Sequence, residues 1–151
     1  MIRAHQASCV AIGGRGLLIE GPPGGGKSSL VLALLDRGAT LVGDDGVMLE
    51  ARGGVLIAQP HPAIYGKLEV RNLGVFEAEQ HGWPVSGEAP VALVLRLDRE
   101  APRFIDFADS VNLCGIAVPV VQLWPDSPVL HLRAELALKR YGERLGGKEF
   151  S

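Results

Sequence analysis

The sequence contains few cysteines and aromatic residues, and neither sign of charge dominates. Among 151 residues there are 2 cysteines, 5% are aromatic, and the formal net charge is -2. Such a charge creates no broad basic field, so long nucleic acids and anionic membranes are not expected as main partners. Any phosphate binding must therefore be local.

Long hydrophobic runs and a leader peptide are also missing. Residues 1–6 have no apolar segment typical of a secretory signal, and no apolar run reaches the ~18 residues that a membrane helix needs. We therefore expect a cytoplasmic protein. Cys9 and Cys114 lie in apolar, strand-like runs, which is typical of reduced core cysteines. A catalytic or metal-binding thiol is the alternative.

Length and composition fit one globular α/β domain over residues 1–151, with 47% hydrophobic and 21% charged residues. Periodicity predicts a central β-sheet flanked by helices. The predicted strands are 7–12, 15–20, 39–42, 47–50, 55–58, 90–97 and 115–123. The predicted helices are 29–37, ending at Gly38, and a last helix from Ser127 and Pro128 to Gly146 and Gly147, with a loop at 59–66.

A P-loop pattern is the strongest functional signal. It follows an apolar strand and opens a helix, so backbone N–H groups and the helix N-terminus can point at one polyphosphate. Lys27 would contact the β- and γ-phosphates and Ser28 would present a hydroxyl to Mg²⁺. The alternative is a flexible glycine turn with a solvated lysine. The residues predicted to bind ATP are Gly21, Pro22, Pro23, Gly24, Gly25, Gly26, Lys27, Ser28 and Ser29.

Two adjacent carboxylates, Asp44 and Asp45, end the strand that follows the P-loop helix. The carboxyl end of a strand in an open α/β sheet is where ligands collect, so both can face the phosphates. One can hold the metal shell while the other accepts a proton from an attacking hydroxyl. The alternative is an Asp-Asp-Gly turn that only joins two strands.

Four segments together resemble the catalytic domain of HPr kinase/phosphorylase: residues 14–21, the P-loop, residues 41–45 and residues 68–75. The resemblance implies a P-loop kinase core similar to that of phosphoenolpyruvate carboxykinase. It also implies ATP-dependent phosphorylation of a serine on the small phosphocarrier protein HPr, with Mg²⁺. The longer members carry an N-terminal domain, whereas this chain resembles the short forms. Because the family forms hexamers, self-association is expected too.

The resemblance also implies roles for individual residues. Lys27 contacts phosphate, Ser28 and Glu69 serve Mg²⁺, and Asp45 is the proton acceptor, with Asp44 beside it. His5 corresponds to a catalytic histidine upstream of the P-loop, although a partly exposed N-terminal histidine is the alternative.

Glu69 and Arg71 would lie on the same side of an extended segment, two residues apart. A carboxylate and a guanidinium near a polyphosphate could hold metal and anion respectively. Without the family resemblance, an exposed surface pair would be the better interpretation.

Three departures from the family pattern affect the expected activity. Asn72 stands in place of the first glycine of the signature, and Arg103 is only a loose substitute for the catalytic arginine. Residues 121–126 replace a Gly-Arg-Asn loop that the family uses in dephosphorylation, which puts the reverse activity in doubt. Two alternatives stay open: a nucleotide-sensing regulatory module with little catalysis, and a simple NTP hydrolase in which Asp98 is the strand-end acid.

Overall fold

The computed structural model describes residues 2–145. In chain order the elements are β1 (Ile2–His5), β2 (Ser8–Ile12), β3 (Arg15–Glu20), α1 (Lys27–Asp36), β4 (Thr40–Gly43), β5 (Val47–Arg52), β6 (Val55–Pro60), β7 (Lys67–Val70), β8 (Gly74–Glu77), β9 (Ala89–Leu97), β10 (Asp109–Leu113), β11 (Ile116–Leu123) and α2 (Leu130–Tyr141). Short 3₁₀ helices occupy Pro62–Ile64 and Ala78–His81.

Strand β9 is the centre of the main sheet. It pairs in parallel with β3 on one edge, while the other edge pairs antiparallel with β6 near its start and in parallel with β11 near its end. The sheet continues from β3 through β2 to β4, and from β6 through β5 to β1. In the described part of the chain this gives a mixed nine-stranded sheet, with β7 and β8 as a separate hairpin. The predicted α/β fold is confirmed.

The alternation of side chains along the strands builds two apolar cores. Leu17 and Ile19 of β3 face the core that contains both helices, whereas Leu18 between them faces the second core, formed with the β5–β6 hairpin. Leu93 of β9 and Leu34 of α1 are fully buried on the helix side. Both faces of β3 and β9 are covered, which explains their continuous apolar sequences.

Several element boundaries differ from those predicted. Helix α1 begins two residues earlier than expected, at Lys27. Residues 59–66 are not simply loop, because β6 extends to Pro60 and a 3₁₀ turn follows. Helix α2 begins at Leu130, and the Ser127 Oγ accepts a hydrogen bond from the Val129 N–H (3.1 Å) in the turn before it. Helix α2 ends at Tyr141, before the predicted end at Gly146 and Gly147, so the prediction of a longer helix is wrong; Gly146 and Gly147 themselves lie outside the described residues.

The two cysteines occupy different environments. Cys9 is fully buried in β2, and this burial raises the pKa of its thiol to about 12, so the reactive thiolate is not populated at neutral pH. Cys114 is only half-buried and lies in the turn between β10 and β11 with a φ of 53°. Both cysteines are free, as predicted; Cys9 lies inside the core, whereas Cys114 packs against its edge.

Neither helix in residues 2–145 is long and apolar enough to cross a membrane.

The central position of β9 can be tested by stability. We expect Leu93→Ala to lower the free energy of unfolding by about 2–5 kcal/mol, because it leaves a cavity between the sheet and the helices. Leu136→Ala is the matched control, since Leu136 is 63% exposed on α2 and should change stability by less than about 0.5 kcal/mol. Urea denaturation measures both, and equal losses would contradict the assignment of the core.

Candidate phosphate-binding site

The glycine loop after β3 leaves the start of α1 open. Gly26 is the N-cap with a φ of 97°, and no side chain caps the helix, so its first N–H groups are available to an anion. A Cβ on Gly25 would lie 2.8 Å from the Pro22 carbonyl oxygen, so a larger residue would push the loop apart. These glycines therefore shape the backbone for close approach by a ligand.

Lys27 lies across this loop instead of extending into solvent. The side chain is 7% exposed, and Nζ donates a hydrogen bond to the Gly21 carbonyl oxygen (2.8 Å) and lies 3.8 Å from Asp45 Oδ1. A solvated lysine on a flexible turn would show neither contact. The ammonium group is held at the loop. There a phosphate oxygen could replace the Gly21 carbonyl oxygen or the Asp45 carboxylate as its partner.

Asp44 joins three neighbouring segments. Its Oδ1 accepts hydrogen bonds from Ser8 Oγ (2.9 Å) and Ser28 Oγ (2.8 Å), and its Oδ2 accepts one from the Glu69 N–H (3.0 Å). The Asp45 N–H donates to the same Ser8 hydroxyl (3.0 Å). Asp44 is 5% exposed. Its carboxylate orients the Ser28 hydroxyl and is itself turned away from solvent.

Asp45 has the opposite environment. Its side chain is 55% exposed and its backbone is left-handed, with a φ of 56°. This conformation turns Asp45 toward Lys27 while Asp44 points inward. Asn72 is also left-handed, with a φ of 75°, and asparagine tolerates this region better than most residues. The substitution of a glycine by Asn72 is therefore compatible with the turn.

A cavity of about 370 Å³ lies in front of the loop, and we call it the phosphate-side cavity. The structure thus brings together the P-loop, Asp45, Glu69 of β7 and Arg71 just after it. The expectation that both acids face the phosphates is wrong for Asp44, which is buried and does not line the cavity. Arg71 Nη2 lies 3.4 Å from the Gly24 carbonyl oxygen, its hydrogen-bond acceptor. The residues lining the cavity are Pro23, Gly24, Gly26, Lys27, Ser28, Ser29, Asp45, Glu69, Arg71 and Asn72.

The oxygen donors in this cavity fit magnesium. Ser28 offers a hydroxyl already oriented by Asp44, and Glu69 offers an exposed carboxylate. Residues 2–145 contain no group of three His, Cys, Asp or Glu side chains that could hold a metal ion by themselves. A usual magnesium site has only one or two protein ligands, and phosphate oxygens and water complete its coordination.

His5 does not lie in the phosphate-side cavity. It is on β1, and its Nε2 is 2.7 Å from Glu20 Oε2. Arg96 Nε donates to the other carboxylate oxygen of Glu20 (2.9 Å). The hydrogen bond with His5 and the guanidinium of Arg96 together hold the pKa of Glu20 below its ordinary value of 4.5. His5 and Arg96 thus anchor the residue immediately before the P-loop, and a catalytic role for His5 stays a prediction.

Two residues that support the site went unrecognised in the sequence. Ser8 is fully buried, and its hydroxyl binds both Asp44 and Asp45. Arg96 interrupts the apolar run of β9 to reach Glu20. In both cases the available signal was a polar side chain inside an apolar strand, which is tolerated only when it finds a partner.

Comparison with known proteins agrees with this geometry. Residues 2–123 match the family model described as the HPr serine kinase C-terminal domain. The chain belongs to this family. The residues matched to the HPr serine kinase C-terminal domain include the whole sheet, α1 and every residue that lines the phosphate-side cavity.

Individual HPr kinase relatives show the same likeness. The HPr kinase/phosphorylase of Mycoplasma mycoides is 34% identical over 128 residues, which cover 79% of this chain and 41% of that protein. The Chloroherpeton thalassium protein of the same name is 31% identical over 152 residues, 91% of this chain and 45% of its own length. The chain thus spans less than half the length of these relatives.

A solved structure extends the comparison to the fold. The Hpr(Ser) kinase/phosphatase from Coxiella burnetii superposes with a TM-score of 0.81 at 26% identity, covering 91% of this chain and 94% of that one. The mixed sheet flanked by helices is therefore the fold of this family.

The role of Asp44 predicts a large effect on stability. We expect Asp44→Ala to lower the free energy of unfolding by about 2–5 kcal/mol, because the hydroxyls of Ser8 and Ser28 and the Glu69 N–H lose a buried acceptor. Asp45→Asn is the matched control and should cost less than about 1 kcal/mol, since Asp45 is exposed and asparagine tolerates its left-handed backbone. Chemical denaturation compares the two, and a tolerated Asp44→Ala would contradict the assigned network.

The Glu20 interactions predict a dependence of stability on pH. A carboxyl group with a lowered pKa in the folded state contributes stability above its unfolded pKa, and this contribution is lost as pH falls through the folded value. Wild type should therefore exceed Glu20→Gln in stability near neutral pH, and the difference should shrink as pH falls below about 4.5. Glu79→Gln removes an exposed carboxyl and is the control for the change of stability with pH that any such substitution causes. A difference that is constant with pH would argue against the ionised pairing.

Proposed function

We propose that the chain forms one P-loop catalytic domain that, in the cytoplasm, transfers the γ-phosphoryl group of ATP to a serine of HPr or an HPr-like phosphocarrier protein. The observation that carries this proposal is the convergence of Lys27, Ser28, Asp45 and Glu69 on one cavity at the glycine loop. Membership of the HPr serine kinase family and the printed names of its relatives support the choice of acceptor.

The loop supplies the phosphate contacts. The open N-terminus of α1 directs N–H groups toward the cavity, and Lys27 adds a positive charge that is already partly desolvated. In the structure Lys27 Nζ is bonded to the Gly21 carbonyl oxygen, a neutral acceptor. A phosphate oxygen is a stronger acceptor for an ammonium group, so ligand binding would displace this contact.

Ser28 and Glu69 are the residues suited to hold Mg²⁺. Asp44 accepts the Ser28 hydroxyl proton in a hydrogen bond, which leaves the lone pairs of Ser28 Oγ available to the metal. When bound, Mg²⁺ supplies positive charge that offsets the charge of the phosphates. Glu69 is held beside Ser28 because its own N–H is bonded to Asp44.

Asp45 is the residue suited to accept the proton of the acceptor serine. Both oxygens of Asp44 already accept hydrogen bonds in the interior, whereas Asp45 has an exposed carboxylate on the cavity. The Lys27 ammonium lies 3.8 Å from Asp45 Oδ1, on the side where the phosphates would bind. As the serine oxygen bonds to phosphorus and the bond to ADP breaks, the serine proton passes to Asp45.

A protein acceptor agrees with the surface around the cavity. Leu73 is 71% exposed and Val75 is 66% exposed on the β7–β8 hairpin, next to Arg71 and Asn72 of the cavity wall. A small soluble acceptor would not require an apolar surface here, whereas a docking protein would cover it. We include forward transfer only, because residues 121–126 lack the loop associated with dephosphorylation. Self-association stays a prediction.

The test is transfer of labelled phosphate from ATP to HPr by wild type, Lys27→Ala and Asp45→Asn. Lys27→Ala should lose both ATP binding and transfer. Asp45→Asn should keep ATP affinity while transfer falls by about 10²–10⁴-fold, the usual cost of removing a positioned base. Asp36→Asn, an exposed acid at the other end of α1, is the matched control and should behave like wild type.

Two outcomes would contradict the proposal. Full transfer by Asp45→Asn would exclude Asp45 as proton acceptor. Tight ATP binding by wild type with no transfer to any HPr-like protein would instead favour a nucleotide sensor.

A further inference from the structure

A second cavity, of about 480 Å³, lies at the carboxyl ends of the parallel strands β3, β9 and β11, and we call it the strand-end cavity. Gly21, Pro22 and Gly25 of the P-loop line one side of it, and other residues of the same loop line the phosphate-side cavity. Ligands of open α/β sheets collect at this end of parallel strands. Its lining residues are Glu20, Gly21, Pro22, Gly25, Arg96, Leu97, Asp98, Arg99 and Pro125.

The arginine side chains in the strand-end cavity are already paired. Arg96 Nε donates to Glu20 (2.9 Å), and Arg99 binds both oxygens of Asp126 through Nε (2.7 Å) and Nη2 (3.0 Å). Paired guanidinium groups attract a further phosphate only weakly, but their planar faces still stack on flat aromatic rings. The proline rings and Leu97 add apolar surface to the same walls.

Asp98 gives the cavity a polar group with a defined orientation. It directly follows β9, and its Oδ1 accepts a hydrogen bond from the Glu100 N–H (2.8 Å), which fixes the carboxylate. A carboxylate held this way can accept hydrogen bonds from ribose hydroxyls or from an exocyclic amino group. Flat walls with one oriented acceptor match a nucleoside better than a polyphosphate.

The sheet order gives the direction in which a nucleotide would lie. Asp44 and Asp45 follow β4, which is separated from β3 by β2, whereas β9 and β11 lie on the other side of β3. The end of the nucleotide that reacts belongs near Asp45 and Glu69. The nucleoside end would then lie on the other side of the loop, next to β9 and β11, where the strand-end cavity is open.

We propose that the strand-end cavity is the nucleoside subsite, with the base stacked against Arg96, Arg99 and Pro125 and with Asp98 as hydrogen-bond acceptor. This inference rests on the proposed nucleotide binding at the P-loop. It assigns the ribose and base to residues outside the P-loop pattern, on the far side of the loop from the catalytic carboxylates.

The experiment compares calorimetric titrations of the full chain with MgATP and with magnesium tripolyphosphate, which has no nucleoside. Wild type should bind ATP more tightly than tripolyphosphate. Pro125→Trp, which fills the cavity, and Arg99→Ala, which removes one stacking face, should weaken ATP binding by about tenfold or more. Neither should change tripolyphosphate affinity beyond about twofold, which also shows that the variants are folded.

Arg37→Ala is the matched control for the loss of an exposed, paired arginine. Arg37 binds Glu135 (2.8 Å) at the far end of α1, ~15 Å from the loop, so both affinities should stay at the wild-type values. Equal wild-type affinities for ATP and tripolyphosphate, or normal ATP affinity in both cavity variants, would overturn the subsite while leaving the P-loop proposal intact. Failure of wild type to bind either ligand would overturn both.

Discussion

The buried carboxylate of Asp44 is the interaction on which the rest of the site depends. It connects the end of β4 to Ser8 of β2, Ser28 of α1 and the backbone of Glu69 in β7. A charged group in this position is stable only because each contact is a hydrogen bond donated to it. The same hydrogen bonds hold the P-loop helix next to the β7–β8 hairpin. The contacts that stabilise the fold here therefore also position the residues of the site.

The adjacent residues Asp44 and Asp45 illustrate how one dipeptide takes two roles. The left-handed backbone of Asp45 turns its side chain toward the cavity, while the residue before it stays inside. One carboxylate therefore positions neighbours and the other meets Lys27. Neither feature depends on the identity of a ligand, and both are properties of the turn after β4.

The P-loop separates two cavities with different chemistry. The phosphate-side cavity combines Lys27, Arg71 and exposed carboxylates, whereas both arginines of the strand-end cavity are paired with carboxylates. Strand β9 makes this division possible, because it carries β3 on one edge and β11 on the other and so brings their carboxyl ends together. Two cavities of different chemistry can thus be built around one short loop.

Most strands and the P-loop helix could be predicted because their signals are local. Apolar alternation, the glycine pattern and the turn glycines each act over a few residues. Strand β1 was missed because its side chains are mostly exposed, and its strand conformation comes from pairing with β5. Strands β7, β8 and β10 are also short and largely exposed, so they too lack the apolar alternation that predicts a strand. The partner of β1 is distant in sequence, whereas β7–β8 and β10–β11 are hairpins of neighbouring strands.

The sequence alone determined that a phosphate loop would be followed by a pair of acids, since chain order and spacing express these features directly. Only the tertiary structure decided which acid faces the phosphate-side cavity, because that depends on the φ of Asp45 and on a hydroxyl from Ser8, 36 residues away along the chain from Asp44. The pairing of His5 with Glu20, outside the phosphate-side cavity, has the same origin. Side-chain direction follows from packing between strands, and packing is a property of the whole fold.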